Sequence, residues 1–268
     1  MEDFKMNRDN EINNDIKFLV KSEIRLKILS ELDKEPSNIS GLVKKTNITY
    51  SSISSNISKL QEKNYITKEN KKYYANPMTQ VYFKSIIDFK NSVDLINNFN
   101  MFWNKHKLNQ LSIDSVKRIT NLENSQLVET TPVDIYKTHN TIKDQIIDSK
   151  NVKAIFPYLH PDYPKLIEEV LMKNGTVELI VPHSIFKELM FRVDEQVRKN
   201  AIKRRSLKVY IFKNDLNLYL TVCDKTMSLG LFKNDGSFDQ NRILISEAAK
   251  SLEWANELFE HVKKEVNE

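Results

Sequence analysis

The chain contains very little glycine and cysteine, and each shortage excludes a class of protein. Its 268 residues include only four glycines, Gly41, Gly175, Gly230 and Gly236, and one cysteine, Cys223. Four scattered glycines cannot build a Gly-rich phosphate loop, a dinucleotide fingerprint or a nucleophile elbow. A single cysteine excludes an intramolecular disulfide and argues against a thiolate metal site. We therefore expect no enzyme activity, no cofactor and no metal.

Long apolar runs are absent as well. No run approaches the roughly 20 residues of a membrane span, and the start, MEDFKMNRDNEINND, lacks the basic and apolar stretches of a signal peptide. We expect a cytoplasmic protein without a membrane partner. A hydrophobic content of 40% and a charged content of 29% are typical of globular proteins, and the length predicts two domains.

Positive charge is concentrated in one short part of the chain. Residues 36–76 contain seven lysines and only two glutamates, whereas the whole chain carries a formal net charge of +5. A local excess of this kind favours a polyanionic partner for that segment.

Helical spacing of apolar residues predicts three helices in this region. KSEIRLKILSELDKEP has Ser22 as its cap, NISGLVKKTN is a short helix that ends at a polar break, and ITYSSISSNISKL begins at Thr49. The face of the third helix opposite its apolar stripe is short and polar, and it has no acid before Glu62. Such a face suits contact with phosphates and base edges. Its members are Tyr50, Ser51, Ser52, Ser54, Ser55, Asn56 and Lys59.

The next segment, YITKENKKYYANP, alternates apolar and polar residues and predicts a β-hairpin. We place its turn at Glu69-Asn70, with Lys68, Lys71 and Lys72 at the tip. Lysines in this position would grip the DNA backbone.

Residues 15–76 resemble the winged-helix regulators of the ArsR type, chiefly through TYSSISSNISKL and the basic hairpin. The resemblance implies a winged helix-turn-helix that binds double-stranded DNA. The cysteine pairs with which some ArsR relatives sense metals are absent, so metal sensing of that kind is not expected.

A connecting helix is predicted from Pro77 to Lys105, which contains no glycine and no further proline. Its apolar residues recur at steps of four and three, as in a coiled-coil seam. The seam predicts a homodimer, and packing within the chain is the alternative. Its members are Tyr82, Ile86, Phe89, Val93, Ile96, Asn100 and Trp103.

The rest of the chain alternates β-rich runs with helical segments, which predicts an α/β layer with partly parallel strands. The runs are QLVE, NVKAIFPYL, TVELIVP and SLKVYIF, followed by a hairpin region and a last helix, SEAAKSLEWANELFEHVKKE.

Residues 80–268 resemble the methanogen output domain of archaeal winged-helix regulators, through the order of elements and the phrase SLEWANELFEHV. The architecture is also similar to the phospholipase-D-like effector domain of archaeal sugar-responsive regulators. In enzymes of that fold, a histidine followed by one residue and a lysine supplies the nucleophile and stabilises charge. We expect no such catalytic pair here, so phosphodiesterase chemistry is disfavoured.

A ligand site is predicted at the ends of two strands of this layer. His160 and His183 each follow a predicted strand, where open α/β sheets bind ligands. With Tyr158 and Arg192, they would accept a polar or anionic small molecule.

The sequence therefore predicts an α+β protein with a DNA-binding domain at 1–76, a helical linker at 77–124 and an effector domain at 125–268. The leading interpretation is a sequence-specific transcriptional regulator with a small-molecule effector. Two alternatives stay open. One is an enzyme tethered to nucleic acid by the winged helix, and the other is a protein-interaction adaptor.

Overall fold

The chain folds as two compact units. The computed structural model describes residues 14–214 and 216–266. The units divide between Asn91 and Ser92, inside the segment predicted as a linker. The remaining parts of the predicted domains, residues 1–13, 215 and 267–268, lie outside the described residues. Of the helices in the described part, none is both long enough and apolar enough to cross a bilayer.

Three helices of the first unit lie at the positions that the sequence predicts, after a helical segment at 14–20. They are α1 (Glu23–Lys34), α2 (Ile39–Thr46) and α3 (Tyr50–Glu62). Ser22 caps α1, because its Oγ accepts a hydrogen bond from the Arg25 amide at 3.3 Å. Asn47 ends α2 in the left-handed conformation, with φ 55°. The predicted apolar stripes form the core through Ile28, Leu29, Leu32, Leu42, Ile53, Ile57 and Leu60.

A two-stranded antiparallel hairpin follows, formed by β1 (Ile66–Glu69) and β2 (Lys72–Ala75). Its turn lies one residue later than predicted, because Glu69 still pairs with Lys72. The turn residues, Asn70 and Lys71, both have positive φ, 48° and 65°. Two such residues make a type I′ turn, whose twist matches that of the strands.

The predicted connecting helix is interrupted. It consists of α4 (Pro77–Asn98) and α5 (Asn100–Lys105), with Phe99 between them at φ −111° and ψ 26°. Phe83 of α4 packs into the core of the first unit, whereas Leu95 belongs to the core of the second.

A seven-stranded mixed sheet forms the centre of the second unit, in the order β3-β9-β8-β7-β4-β5-β6. The neighbours β4, β5 and β6 run parallel, and all other neighbours are antiparallel. The strands are β3 (Gln126–Glu129), β4 (Asn151–Ile155), β5 (Thr176–Pro182), β6 (Leu207–Phe212), β7 (Leu218–Val222), β8 (Met227–Leu231) and β9 (Arg242–Ser246). A partly parallel sheet was predicted, but β9 was not.

Helices cover both faces of this sheet. After a short α6 (Ile113–Lys117) and a 3-10 helix (Ile119–Leu122), the chain forms α7 (Lys137–Ile147), α8 (Tyr163–Met172), α9 (His183–Arg192), α10 (Glu195–Lys203) and α11 (Ala249–Glu265). Leu218 and Leu220 of β7 contribute to the core that contains α11, whereas Tyr219 contributes to the core that contains α7 and α8. This alternation follows from the two-residue period of a strand.

The last helix docks on the sheet with the predicted residues. Ala255, Leu258, Phe259 and Val262 are buried, and Leu252 packs partly against the same core. Trp254 is also buried, and its indole N–H donates to the Ser115 carbonyl at 2.9 Å. This hydrogen bond ties α11 to α6.

Candidate functional site

The polar face of α3 is accessible along the first unit. Tyr50, Ser51, Ser55 and Lys59 are exposed, and Ser52, Ser54 and Asn56 are half-buried. No acidic residue lies in the first turn, and Glu62 comes only at the end of the helix. A polyanion could approach this face without meeting a carboxylate.

Hydrogen bonds preorganise part of this face. Thr49 occupies the cap position of α3, but its Oγ1 accepts no hydrogen bond from a backbone amide and instead donates to Ser52 Oγ at 3.0 Å. The Asn56 amide nitrogen donates to the Ser52 carbonyl at 2.9 Å. Ser51 and Ser55 are the exposed serines of the predicted set, which makes them the best-placed serines to contact base edges.

The hairpin carries the three predicted lysines at its tip, and all three are exposed. Lys68 lies with its Nζ 5.3 Å from the centre of the Tyr73 ring. Lys71 occupies the turn, and Lys72 lies opposite Glu69 in the register of the two strands. Tyr73 is also bonded through its backbone to Ser37 in both directions, at 3.2 and 2.8 Å. The hairpin is thus fixed to the helices that it follows.

A nearby carboxylate is already neutralised. Lys45 donates to Glu35 at 2.7 Å, and this hydrogen bond, with the attraction of the same lysine, holds the pKa of Glu35 below its usual value. Lys72 lowers that pKa further. Glu35 therefore adds little repulsion toward an anion at the hairpin.

The predicted dimer seam is only partly on the surface. Tyr82, Phe89, Val93 and Ile96 are exposed on α4, with Phe89 at 71%. The other three members of the predicted seam, Ile86, Asn100 and Trp103, do not belong to this exposed stripe on α4. Ile86 packs partly on the first core, Asn100 accepts from Asn104 at the start of α5, and Trp103 is 7% exposed in the second core. The break at Phe99 turns the last two away from the α4 stripe.

Three of the four predicted ligand residues lie at the carboxyl ends of adjacent parallel strands. Tyr158 and His160 follow β4, and His183 begins α9 directly after β5. Tyr158 packs against Phe238, with ring centres 4.8 Å apart. Arg192 lies at the other end of α9, where its Nε donates to Glu188 at 2.8 Å. The structure thus gives Arg192 a local partner, and its contact with a ligand stays a prediction.

His160 has two partners that the sequence did not reveal. The His139 ring stacks on it with centres 3.9 Å apart, and His139 Nε2 lies 2.8 Å from Asp162 Oδ2. The Asp162 amide donates to His160 Nδ1 at 3.2 Å. The spacing His-x-Asp at 160–162 was a signal for this cluster. His139, however, comes from α7, and only the fold brings it near.

The charges of this cluster are tuned by its surroundings. Burial lowers the pKa of His160, and the neighbouring His139 lowers it further. The hydrogen bond from His139 lowers the pKa of Asp162. At neutral pH the cluster therefore presents a neutral His160 ring beside an ionised carboxylate.

A His-x-Lys spacing does occur once, at His261 and Lys263, contrary to the expectation above. Both residues lie on α11. His261 pairs with Glu265 at 3.3 Å, while Lys263 contacts Glu178 and Glu260 at 3.2 Å. The lysine of this spacing is thus held by the carboxylates of Glu178 on β5 and Glu260 on α11.

Two domains of one protein family match the chain. Residues 13–78 match the N-terminal domain of the methanogenesis regulatory protein FilR1, and residues 135–265 match its middle domain. The chain belongs to the FilR1 family. The family is one of regulatory proteins, which agrees with the expectation that the chain is not an enzyme.

A curated relative carries the same description. It is the methanogenesis regulatory protein FilR1 of Methanothrix harundinacea strain 6Ac, which is 26% identical over 163 residues. The match covers 60% of this FilR1-family chain and 36% of the relative. The chain therefore spans about a third of the relative's length.

Two solved structures match this FilR1-family chain at low similarity. One is TrmBL2, an archaeal chromatin protein described as showing a novel mode of DNA binding. The two chains are 11% identical with a TM-score of 0.41, and the match covers 92% of this chain and 96% of TrmBL2. The other is the polyphosphate kinase of Porphyromonas gingivalis, at 10% identity and a TM-score of 0.36. This match covers 59% of this chain and 28% of the kinase. Both TM-scores are too low to inform the function of this chain.

Proposed function

We propose that the chain is a sequence-specific DNA-binding transcriptional regulator. One observation carries the proposal: the accessible, acid-free and hydroxyl-rich face of α3 is followed by a hairpin with three exposed lysines at its tip. Short polar side chains read base edges, and lysines neutralise phosphates. The order α1, α2, α3 and hairpin is that of a winged helix-turn-helix of the ArsR type, with α3 as the recognition helix.

The role of the FilR1 family supports this proposal. A regulator of transcription acts on chromosomal DNA, and therefore in the cytoplasm of a methanogen. The ion pair of Glu35 with Lys45 supports the same surface, because it reduces the negative charge near the hairpin.

The second unit is proposed to sense a small molecule or a partner. The support is the position of Tyr158, His160 and His183 at the carboxyl ends of β4 and β5, the edge at which open α/β sheets bind ligands. A phospholipase-D-like architecture without its catalytic pair belongs to the same proposal.

A homodimer completes the proposed regulator. Phe89 and Ile96 lie one heptad apart on α4 and are exposed by 71% and 47%. Together with Tyr82 and Val93 they form an apolar stripe, which a second copy of α4 would cover. Two recognition helices related by a two-fold axis would then read an inverted repeat.

Selection of binding sites from a pool of random duplexes tests the proposed function. We expect enrichment of one short sequence, arranged as an inverted repeat and bound at least about a thousandfold more tightly than the starting pool at physiological salt. A variant that lacks all three hairpin lysines should enrich nothing. Recovery of random sequences by the unmodified protein, or no recovery at all, would refute specific DNA binding.

A further inference from the structure

His139, His160 and Asp162 bring three metal-binding groups to one place in the second unit. His139 lies in the first turns of α7, while His160 and Asp162 lie between β4 and α8. One ligand atom from each residue can be chosen so that all three lie within 4.8 Å of one another. Within residues 14–214 and 216–266, this is the one group of three such residues.

The geometry points to a binding site for a divalent transition-metal ion, held by two imidazoles and one carboxylate. Metal bonds of 2.0–2.2 Å place neighbouring ligand atoms roughly 3 to 3.5 Å apart. His139 Nε2 and Asp162 Oδ2 are already 2.8 Å apart, so they need only a small separation. A metal ion would take the place of the hydrogen atom that now lies between these two atoms.

Packing holds the His160 ring in position. The Asp162 amide donates to His160 Nδ1 in the structure, and a metal ion bound by His160 would displace this hydrogen bond. On its other side, His160 packs on Tyr163, with ring centres 5.4 Å apart, and Tyr163 is almost completely buried. Tyr163 itself stacks on Phe156 of the sheet core at 4.0 Å. A rigid floor of this kind lowers the entropy cost of metal binding.

The donor set selects the class of metal. Imidazole nitrogens suit zinc, cobalt, nickel, copper and iron, whereas calcium and magnesium prefer oxygen ligands alone. The single thiol, Cys223, is buried and does not belong to the group. Three protein ligands leave at least one coordination position open, as in metal sites that accept a further ligand.

Solvent reaches the site. The side chains of His139 and Asp162 are exposed by 20% and 45%, so an ion can enter without unfolding the chain. The Asp162 carboxylate contributes an anionic oxygen to the site, which favours a cation.

A titration with Co²⁺ tests this proposal, since cobalt reports nitrogen ligation by its visible absorption. The full chain, freed of any histidine tag and stripped with chelator, should bind one Co²⁺ per chain at micromolar concentration, and Zn²⁺ should displace it. His139→Ala, His160→Ala and Asp162→Asn should each weaken binding at least about tenfold. His183→Ala, which changes a histidine at the end of the next strand, should bind as the unmodified chain does.

Thermal unfolding gives a second readout. Zn²⁺ should raise the unfolding temperature of the unmodified chain and leave that of Asp162→Asn unchanged, because only the folded site binds the ion. Asp162→Asn keeps the shape of the residue, so it decides the matter if an alanine variant fails to fold. Absence of one-site binding in the unmodified chain, or equal affinity in all variants, would overturn the proposal. Since the assay measures the metal directly, its outcome is independent of DNA binding.

Discussion

His106 and Asp239 form a buried hydrogen-bonded pair that joins the end of α5 to the loop before β9. His106 Nε2 lies 2.9 Å from Asp239 Oδ2, and the two side chains are exposed by 0% and 1%. The other ring nitrogen faces the Phe102 carbonyl oxygen. Asp239 also accepts from Arg242 Nη1 at 3.2 Å and from the Asn241 amide at 3.1 Å. The pair therefore lies in a fully hydrogen-bonded network.

We predict that His106→Ala lowers the free energy of unfolding by about 3 kcal/mol, because it leaves the buried Asp239 carboxylate without its main partner. Urea denaturation measures this change. His261→Ala removes an exposed pair with Glu265 and should cost less than about 0.5 kcal/mol. Equal losses in the two variants would mean that the buried pair has no special role.

Cys223 should be inert in the folded chain. Burial raises the pKa of its thiol to about 11, so the folded state favours the neutral form. Only the thiolate is alkylated, and a free thiol with a pKa near 8.5 is partly ionised at pH 8. Alkylation at pH 8 should therefore be on the order of a hundredfold slower in the native chain than in urea.

The raised pKa of Cys223 also makes the free energy of unfolding depend on pH. Since the folded pKa is higher than the unfolded one, the contribution of Cys223 is complete below about pH 8.5 and is lost as the pH rises toward 11. Cys223→Ala should remove this part of the alkaline decline in the unfolding free energy. Native alkylation as fast as in urea would contradict both expectations.

The local parts of the fold were predictable, and the non-local parts were not. Ser22 and the stripe of Ile53, Ile57 and Leu60 are signals within one or two turns of helix, and the structure confirms them. The interruption at Phe99 was not visible, because apolar spacing continues across it. The sequence shows that Trp103 is apolar, but only tertiary packing determines which core it enters.

The sites show the same division. The polar face of α3 and the hairpin lysines follow from a contiguous stretch of sequence. The partnership of His139 with Asp162 depends on α7 lying beside the end of β4, and 23 residues separate the two. Arg192 was predicted at the ligand site, and the structure adds an ion pair with Glu188, one helical turn earlier, that the prediction did not include.

The hairpin lysines should control how DNA binding depends on salt. Each lysine that neutralises a phosphate contributes about one unit to the slope of log affinity against log salt. Lys68→Ala, Lys71→Ala or Lys72→Ala should weaken binding to all duplexes to a similar degree and reduce the slope by up to about one unit. Fluorescence anisotropy at several salt concentrations measures both effects. Lys27→Ala, on α1 and paired with Glu23, is the control, and a slope equally reduced in that variant would exclude a specific role of the hairpin.

The α3 serines should control sequence preference instead. Ser51→Ala and Ser55→Ala each remove an exposed hydroxyl from the face proposed to read bases. Each change should cost about 1 to 3 kcal/mol on the selected site and almost nothing on random duplex, because only the specific complex uses the base contact. Ser85→Ala, an exposed serine on α4, should leave both affinities unchanged. If Ser51→Ala and Ser55→Ala weakened both duplexes equally, α3 would contact only the backbone.

The α4 stripe should hold two copies of the chain together. Phe89→Glu combined with Ile96→Glu places two charges in the proposed seam, so the double variant should sediment as a monomer, whereas the unmodified chain should be a dimer at micromolar concentration. These positions are preferred to Ile86, another member of the predicted seam, because Ile86 packs partly on the first core and would report folding as well as assembly. Phe191→Glu changes an aromatic residue that is 83% exposed on α9, and this control variant should remain a dimer.

Loss of the second recognition helix in the monomeric variant should reduce affinity for an inverted repeat on the order of a hundredfold and leave affinity for a single half-site unchanged. An unmodified chain that sediments as a monomer and still binds the whole repeat with full affinity would show that the stripe does not mediate dimerisation.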